Sequence, residues 1–284
     1  FFTFHLKDME GNKITGKKAL EITIELSIEV GEIASKFLKA PHYFEYEKTF
    51  DPFLLLSKKR YVGMLFEHDP NKGKRKEMGI VLKRRDNAPI VKDVYGGLID
   101  ILMNAHDIPA AIQFVKSFLQ DIVDEKFPLE KLIITKKLNS FYKNPESIAH
   151  KVLAERMGKR DPGNKPSVGS RVPFVYIQTK GKVKLQGNKI ENPEYIRANN
   201  LKPDYGFYIT NQLMKPIQQV FALILEDIPS FKRKVPAFKR KCEYLKQTCK
   251  DDEKYNKKEE ALRNKEVKKI IFDDALRQAN NIKN

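Results

Sequence analysis

The 284-residue chain contains no uninterrupted apolar run near the roughly 18 residues that a membrane-spanning helix requires. Its mean hydropathy of −0.53 is also too polar for a membrane protein. The sequence therefore predicts no membrane partner.

Cysteine is nearly absent, since only Cys242 and Cys249 occur. Two cysteines are too few for a disulfide framework, and two thiols alone do not supply the four ligands of a structural zinc site. This cysteine usage is typical of a reducing, intracellular compartment.

The common sequence signatures of catalysis are missing as well. The five histidines are dispersed without a short HxxxH spacing, and no GxxxxGK[ST] phosphate loop occurs. No arrangement of serine or cysteine nucleophiles is visible. These absences argue against a self-contained nucleotide hydrolase, and we expect no metal ligand set within this chain.

Positive charge is abundant: 54 Lys and Arg stand against 37 Asp and Glu, for a net charge of +17. Clustered cations gain affinity for nucleic acid by releasing counterions from its phosphate backbone. The composition therefore favours a polyanionic partner, with a basic but otherwise ordinary protein as the alternative. Residues 231–284 carry 17 Lys and Arg against 9 Asp and Glu, with few apolar residues. We interpret them as a mobile, charged helical tail.

The apolar spacing predicts an α+β fold. Before residue 85 it predicts a helix at 17–39 and short antiparallel strands, with a polar, basic loop at 69–76. The predicted strand runs are 1–6, 43–50, 53–57, 61–67 and 78–82. After Pro89 helical spacing dominates, and the predicted elements are helices at 90–103, 108–123, 147–157 and 204–225, the last kinked near Pro216, and a strand at 174–178.

The densest basic motif follows a strand-like run and reads Lys58-Lys59-Arg60-Tyr61. If the strand continues, Lys59 and Tyr61 share one face while Lys58 and Arg60 take the other. A cation beside an aromatic ring suits a nucleic-acid groove, because the cation meets phosphate or base acceptors while the ring packs on sugars. The alternative is a solvated sheet edge protected by lysines.

A second basic motif, Arg84-Arg85-Asp86-Asn87, follows the run at 78–82. Asp86 can orient one guanidinium by a bidentate pair while the other faces outward. Asn87 is a candidate cap for the helix after Pro89. The alternative is a strand-to-helix junction with a structural salt bridge.

Together these two motifs resemble family B DNA polymerases of the delta-like and large-DNA-virus branch. Four further segments fit the family in the same order, so that the resemblance covers about residues 1–225. They are FEYEK at 44–48, LIITKKL at 132–138, the stretch 150–175, and YITNQLMKP at 208–216.

The resemblance implies three parts: the C-terminal part of a palm domain at 1–85, a mainly helical thumb at 86–230, and the basic tail at 231–284. It places Lys58, Lys59 and Tyr61 in the minor groove beside the primer end, and Arg84 and Arg85 on the primer strand. Arg60 and Asn87 belong to the same motifs. The thumb residues expected on duplex phosphates are Thr135, Lys136, Lys137, Lys159, Arg160, Lys165 and Arg171.

The resemblance also implies chemistry that this sequence lacks. Family members hold catalytic carboxylates in upstream motifs, one of them a YGDTDS-type hairpin, and no DTD occurs here. Mg²⁺ and the dNTP substrates would be held mainly by an upstream segment or by a separate N-terminal polymerase polypeptide. Glu47 would be an auxiliary carboxylate near the metals, or else an ion-pair partner of Lys48 or Lys58.

The expected partners are primer–template DNA and the N-terminal polymerase polypeptide. NKEVKKIIF at 264–272 faintly resembles a sliding-clamp peptide, with Val267 and Phe272 as apolar anchors. The resemblance implies a location in a host nucleus or a cytoplasmic viral factory. The alternative function is a non-catalytic duplex-DNA-binding module derived from a polymerase.

Overall fold

The computed structural model describes residues 3–80, 86–105, 107–179, 181, 183–249 and 251–281. Its internal contacts divide the chain into two compact units, residues 1–80 and residues 81–284. None of the helices in the described residues is long and apolar enough to cross a membrane.

The first unit contains one long helix and one small antiparallel sheet. Helix α1 spans Gly16–Ser35. Strands β1 (Thr49–Ser57), β2 (Arg60–Phe66) and β3 (Lys74–Met78) pair in that order. The predicted combination of a helix with a small antiparallel sheet is confirmed.

Helix α1 is fixed at its C-terminal end by the segment that follows it. The backbone N–H of Phe44 donates to the Ser35 hydroxyl at 2.8 Å. A Cβ added to Gly31 would lie 3.2 Å from the Phe44 carbonyl oxygen, so a small residue allows this close approach. The helix ends at Ser35, four residues before the predicted end at Lys39.

Two of the predicted strands, 1–6 and 43–50, and the predicted loop at 69–76 differ from the structure, because apolar alternation alone does not specify strand pairing. The first strand begins at Thr49, so residues 43–48 are irregular, and residues 3–6 form no strand. Strand β3 is built from charged residues at the end of the stretch predicted to be a loop. It is held by pairing with β2 rather than by an apolar face. Of the predicted strand at 78–82, residues 81–82 lie outside the described residues.

The second unit begins with two helices, α2 (Pro89–Asn104) and α3 (Ile108–Val123), which pack against each other. The Asp107 side chain accepts a hydrogen bond from the Ala110 N–H at 2.9 Å and so caps the N-terminus of α3. Residues that are essentially inaccessible to solvent line the contact region of these helices: Val94, Leu98, Ile99, Val115, Leu119 and Ile122.

A second small sheet contains β4 (Ile134–Lys137), β5 (Arg171–Tyr176) and β6 (Ile190–Glu191), with antiparallel pairing throughout. Helix α4 (Ala149–Arg160) lies in the chain between β4 and β5. The short helix α5 spans Pro193–Ala198.

The predicted kinked helix at 204–225 is interrupted as expected. Helix α6 (Tyr205–Phe207) leads into a π-helical turn at Tyr208–Leu213, and α7 (Met214–Leu223) continues from it. Pro216 has no N–H to donate to the preceding turn, which accounts for the irregular hydrogen bonding just before it.

The C-terminal residues form three helices, α8 (Val235–Thr248), α9 (Asp252–Ile271) and α10 (Asp273–Asn281). The prediction of a mobile tail is wrong, because its few apolar residues are spaced to face one way and are buried in the second unit. The buried side chains are Phe238, Cys242, Val267, Ile271, Phe272, Ala275 and Ala279.

Candidate nucleic-acid interface

In the first unit the densest basic motif forms a tight turn between β1 and β2. Ser57 pairs with Arg60 across the two strands, so Lys58 and Lys59 are the two loop residues. Both are exposed, and Lys59 has a left-handed backbone with φ of 61°. The predicted alternation is therefore wrong for these lysines, because neither belongs to a strand. Both cations project from the tip of a hairpin.

The turn is supported from behind by Gly79. A Cβ at this position would lie 2.3 Å from the Lys59 carbonyl oxygen, and Gly79 itself has φ of 61°. The Nε–H of Arg60 donates to the Gly79 carbonyl oxygen at 3.3 Å. Arg60 thus helps to hold the turn, in addition to its predicted role on DNA.

Tyr61 belongs to a cluster of three aromatic rings. Its ring centroid lies 5.8 Å from that of Phe50 and 5.5 Å from that of Phe53. The two phenylalanine rings lie close to Gly63, where an added Cβ would be 3.1 Å from each ring and 2.7 Å from the Pro52 carbonyl oxygen. The cluster fixes the position of Tyr61 on the strand beside the lysine turn.

Two further cations on this sheet were not identified from the sequence. Lys76 pairs with Gly63 and Lys74 pairs with Leu65 across β2 and β3. Directly paired residues share a face, so both lysines lie on the same sheet face as Tyr61. The sequence signal for a strand was the run Lys74-Arg75-Lys76-Glu77. Because this run contains no apolar residue, it was interpreted as part of a polar loop.

Three further predictions concern residues near the two basic motifs: Glu47, the pair Arg84 and Arg85, and Asn87. Glu47 lies in the irregular segment before β1, with its side chain 78% exposed and paired with Lys48. Arg84 and Arg85 lie outside the described residues. Asn87 is not the cap of α2, because Ala88 occupies that position and makes no side-chain cap bond.

In the second unit, the predicted thumb cations are brought together by β4 and β5. Lys136 pairs with Val172, and Lys137 pairs with Arg171. Lys136 and Lys137 are exposed. The Arg171 guanidinium binds Thr135, with Nη2 2.8 Å from the carbonyl oxygen and 3.1 Å from Oγ1. This contact aligns the arginine along the strand edge.

His150 lies beneath the lysine strand and is 9% exposed. Its Nε2 lies 3.0 Å from the Tyr142 hydroxyl and 3.2 Å from the Lys137 carbonyl oxygen. Burial lowers the pKa of His150 from the usual 6.5, and the positive charge of Lys136 acts in the same direction. Because the folded pKa lies below the unfolded one, protonation favours unfolding as the pH falls below about 6.5.

Arg160 is partly exposed, but its guanidinium is paired with a protein carboxylate. Its Nη1 and Nη2 contact the two carboxylate oxygens of Glu191 at 3.2 and 2.9 Å, and its guanidinium lies 3.7 Å from the Tyr195 ring centroid. Arg156 also pairs with Glu191. Glu191 is only 4% exposed, so this cluster is structural. The DNA contact of Arg160 stays a prediction, for a cation whose charge is already balanced by Glu191. Lys159 is exposed at the end of α4.

The two apolar anchors of the clamp-like segment are not available to a partner. Val267 and Phe272 are both completely buried in the second unit. A peptide that docks into a groove must present its anchors, so the prediction of a clamp contact through this segment is wrong.

The part of the chain that the structure describes has no group of three or more His, Cys, Asp or Glu side chains able to hold a metal ion. By themselves these residues do not fit a Mg²⁺ site, and no catalytic step is assigned to them. What the described residues offer is a set of exposed cations on two rigid β-structures.

Comparison with known proteins shows which family the sequence resembles. Residues 13–224 match the family model for DNA polymerase family B. The DNA polymerase of Pyramimonas orientalis virus is 51% identical over 99% of this chain and 23% of its own length. The DNA polymerase of Acanthamoeba polyphaga mimivirus is 48% identical over 82% and 14%.

More distant relatives include the DNA polymerase delta catalytic subunit of Candida albicans, which is 36% identical over 74% of this chain and 20% of its own length. The chain thus spans less than a quarter of each of these relatives. The structure of the family B DNA polymerase from Pyrobaculum calidifontis matches 66% of this chain and 23% of its own, with 23% identity and a TM-score of 0.49. The family model covers well over half of this sequence, and the chain belongs to DNA polymerase family B.

Proposed function

We propose that this chain grips the primer–template duplex as the C-terminal palm and the thumb of a DNA-directed DNA polymerase. Residues 1–85 would complete the palm, and residues 86–230 would form the thumb. The observation that carries the proposal is the exposed Lys58–Lys59 turn, against which the backbone of Gly79 packs closely because glycine has no Cβ. Cations on a rigid turn can meet phosphates without first losing conformational freedom.

The second group of contacts lies on the strand edge formed by Lys136, Lys137 and Arg171. Lys137 and Arg171 are directly paired across the two strands and share a face, and the exposed Lys136 is next to Lys137 in the chain. Contacts from these cations to phosphates would position DNA without reading its sequence. Lys159 extends this group. In the first unit, Tyr61, Lys74 and Lys76 would face the minor groove of the DNA beside the Lys58–Lys59 turn. Arg84, Arg85 and Asn87 are proposed to contact the primer strand.

The carboxylates that hold Mg²⁺ and the dNTP are proposed to come from polymerase sequence outside this chain, upstream or on a separate polypeptide. The relatives support this proposal, because the Pyramimonas virus polymerase extends far beyond the 23% that this chain matches. Glu47 is proposed as an auxiliary carboxylate, since its exposed position leaves it accessible to a metal held by a partner segment.

Salt dependence of duplex binding tests the proposed grip. Each phosphate contact contributes about 0.9 to the slope of log K against log salt. We expect Lys136→Gln/Lys137→Gln to flatten the slope for the full chain by roughly two, and Lys58→Gln/Lys59→Gln to do the same. The measurement is fluorescence anisotropy of a labelled duplex across a salt series.

The control for these variants is Lys17→Gln/Lys18→Gln on α1, which removes the same charge from an exposed helix outside the proposed interface. Slopes that change equally in all three variants would show that net charge alone attracts the DNA. Slopes unchanged in both interface variants would place these lysines away from phosphate.

Primer extension separates the polymerase from the non-catalytic duplex-binding module. With Mg²⁺ and dNTPs, we expect extension when this chain is combined with the polymerase segment that carries the catalytic aspartates, and none from either part alone. Salt-sensitive duplex binding without extension in the mixture would favour the non-catalytic module.

A further inference from the structure

A second cationic surface lies at the start of the C-terminal helices, outside the 13–224 segment that the family model covers. Residues 232–246 carry seven Lys and Arg and one acidic residue, Glu243, for a net charge of +6. The rest of the 231–284 segment adds only +2. The seven cations are all exposed: Lys232, Arg233, Lys234, Lys239, Arg240, Lys241 and Lys246.

These cations differ from those of the neighbouring helix in how they are neutralised. Within the described residues, one of the seven forms an ion pair, Lys239 with Glu226 at 3.3 Å. On α9, four of seven cations are paired with nearby carboxylates. The paired α9 cations are Lys257, Arg263, Lys268 and Lys269. The charge of α9 is thus largely balanced by protein carboxylates, whereas that of residues 232–246 is not.

The opposite face of α8 is held firmly against the second unit. Phe238 and Cys242, four residues apart, are buried, and the Phe238 ring packs edge-on against Phe231 with centroids 5.5 Å apart. The Arg263 guanidinium lies 5.5 Å from the Phe238 ring centroid. Because one face is fixed, the other face presents its cations from a rigid helix rather than from a mobile tail.

The outward face of α8 combines cations with an aromatic ring. At 100° per residue, Arg240 and Tyr244 fall on one stripe opposite the buried pair Phe238 and Cys242. Tyr244 is 67% exposed, which is unusual for a large aromatic side chain in a helix that already buries one face. Cations flanking an exposed ring suit a nucleic-acid backbone, with the ring packed on a sugar or a base.

We propose that the outer face of α8 is a second, sequence-independent DNA-binding site that lengthens the grip of the second unit on nucleic acid. The proposal rests on the proposed DNA-binding function and adds to it a surface that neither the basic motifs nor the family match includes. The recognised chemistry is the phosphate backbone, contacted by Arg240 and Lys241 on either side of Tyr244, which is the stacking or packing contact. Lys246 lies on the flank of the helix and adds a further exposed cation.

The test compares two triple variants of the full chain on duplexes of increasing length. We expect Arg240→Gln/Lys241→Gln/Lys246→Gln to flatten the slope of log K against log salt by about two to three on long duplexes. The gain in affinity that the natural chain shows with longer DNA should shrink in this variant. The matched control, Lys254→Gln/Lys257→Gln/Lys269→Gln, removes three exposed charges from α9 and should change the slope by less than one.

Tyr244→Ala gives an independent reading, because it removes no charge. We expect duplex or single-strand affinity to fall about fivefold, at the weak end for one base–aromatic contact, with the salt slope unchanged. Tyr244→Phe should retain most of the affinity. Since Tyr244 and the three cations are exposed, circular dichroism should show unchanged helix content in every variant.

The outcomes separate this inference from the proposed function. If the Lys136→Gln/Lys137→Gln slope responds but neither the α8 triple variant nor Tyr244→Ala weakens binding, the second site is wrong and the first stands. If no variant affects DNA binding, the proposed function fails. Equal effects of the α8 and α9 triple variants would mean that net charge, rather than this particular surface, attracts the DNA. Binding of this face to vesicles of anionic lipid, without any effect on DNA, would also overturn the proposal.

Discussion

Replacing Glu191 by glutamine should destabilise the second unit by about 2–4 kcal/mol, which corresponds to a fall in melting temperature of roughly 5–10 °C. The carboxylate is buried and accepts from Arg160 and from the backbone N–H of Asn192 at 3.0 Å, while it also pairs with Arg156. A neutral amide would remove the negative charge that faces two guanidinium groups. It would keep one acceptor oxygen, so the donors that contact the other carboxylate oxygen would face an NH2 group. The arginines are partly exposed, which keeps the cost below that of a fully buried pair.

Thermal unfolding of the full chain measures this effect, and hydrogen exchange at residues 149–160 and 190–198 locates it. The matched control is Glu130→Gln, which breaks the exposed pair between Glu130 and Arg197 and should cost less than about 1 kcal/mol. Equal destabilisation by the two variants would mean that the Glu191 cluster contributes no more than a surface ion pair.

The same cluster shows why the candidate site could be predicted only in part. Arg160 looked like a free thumb cation because its partner, Glu191, lies 31 residues away in the sequence. No local spacing reveals a pair of that kind. Lys136 and Lys137, by contrast, could be recognised as exposed from the local sequence, because two consecutive lysines end a short strand and lysine is rarely buried.

The helices of the second unit were predictable for a different reason. Their apolar residues recur at helical spacing, and α3 carries its own N-cap in Asp107. The elements that failed depend on distant partners: β3 exists because β2 lies beside it, and the C-terminal helices are ordered because Val267 and Phe272 are buried in the unit. The composition shows that the C-terminal segment is charged. It does not show that the few apolar residues of this segment are buried together in the second unit.

At the lysine turn, the sequence predicted the residues but not their geometry. Strand alternation assigned Lys58 and Lys59 to opposite faces, whereas both residues form the turn and Lys59 has a left-handed backbone. Lysine pays a small conformational cost there, and the close contact with Gly79 supports the conformation. Gly79, twenty residues further along the chain, therefore influences the position of the two lysines, although no local sequence pattern links it to them.

Replacing Gly79 by alanine should consequently disturb the lysine turn without altering any charge. The new Cβ would lie 2.3 Å from the Lys59 carbonyl oxygen, and alanine is strained at φ of 61°. We expect a loss of about 2–4 kcal/mol in the stability of the first unit, from backbone strain plus steric overlap. If the turn contacts DNA, duplex affinity should also fall, measured on the full chain below its unfolding temperature.

The control is Gly11→Ala, because Gly11 has φ of 86° but nothing within 4 Å of an added Cβ. It carries the backbone strain alone, about 1 kcal/mol, and should leave duplex affinity unchanged. The difference between the two variants therefore isolates the contact with Lys59. Hydrogen exchange of the β1–β2 hairpin should increase in Gly79→Ala only. If both variants bind DNA as tightly as the natural chain while only Gly79→Ala loosens the hairpin, the turn conformation matters for stability but does not position the lysines on phosphate.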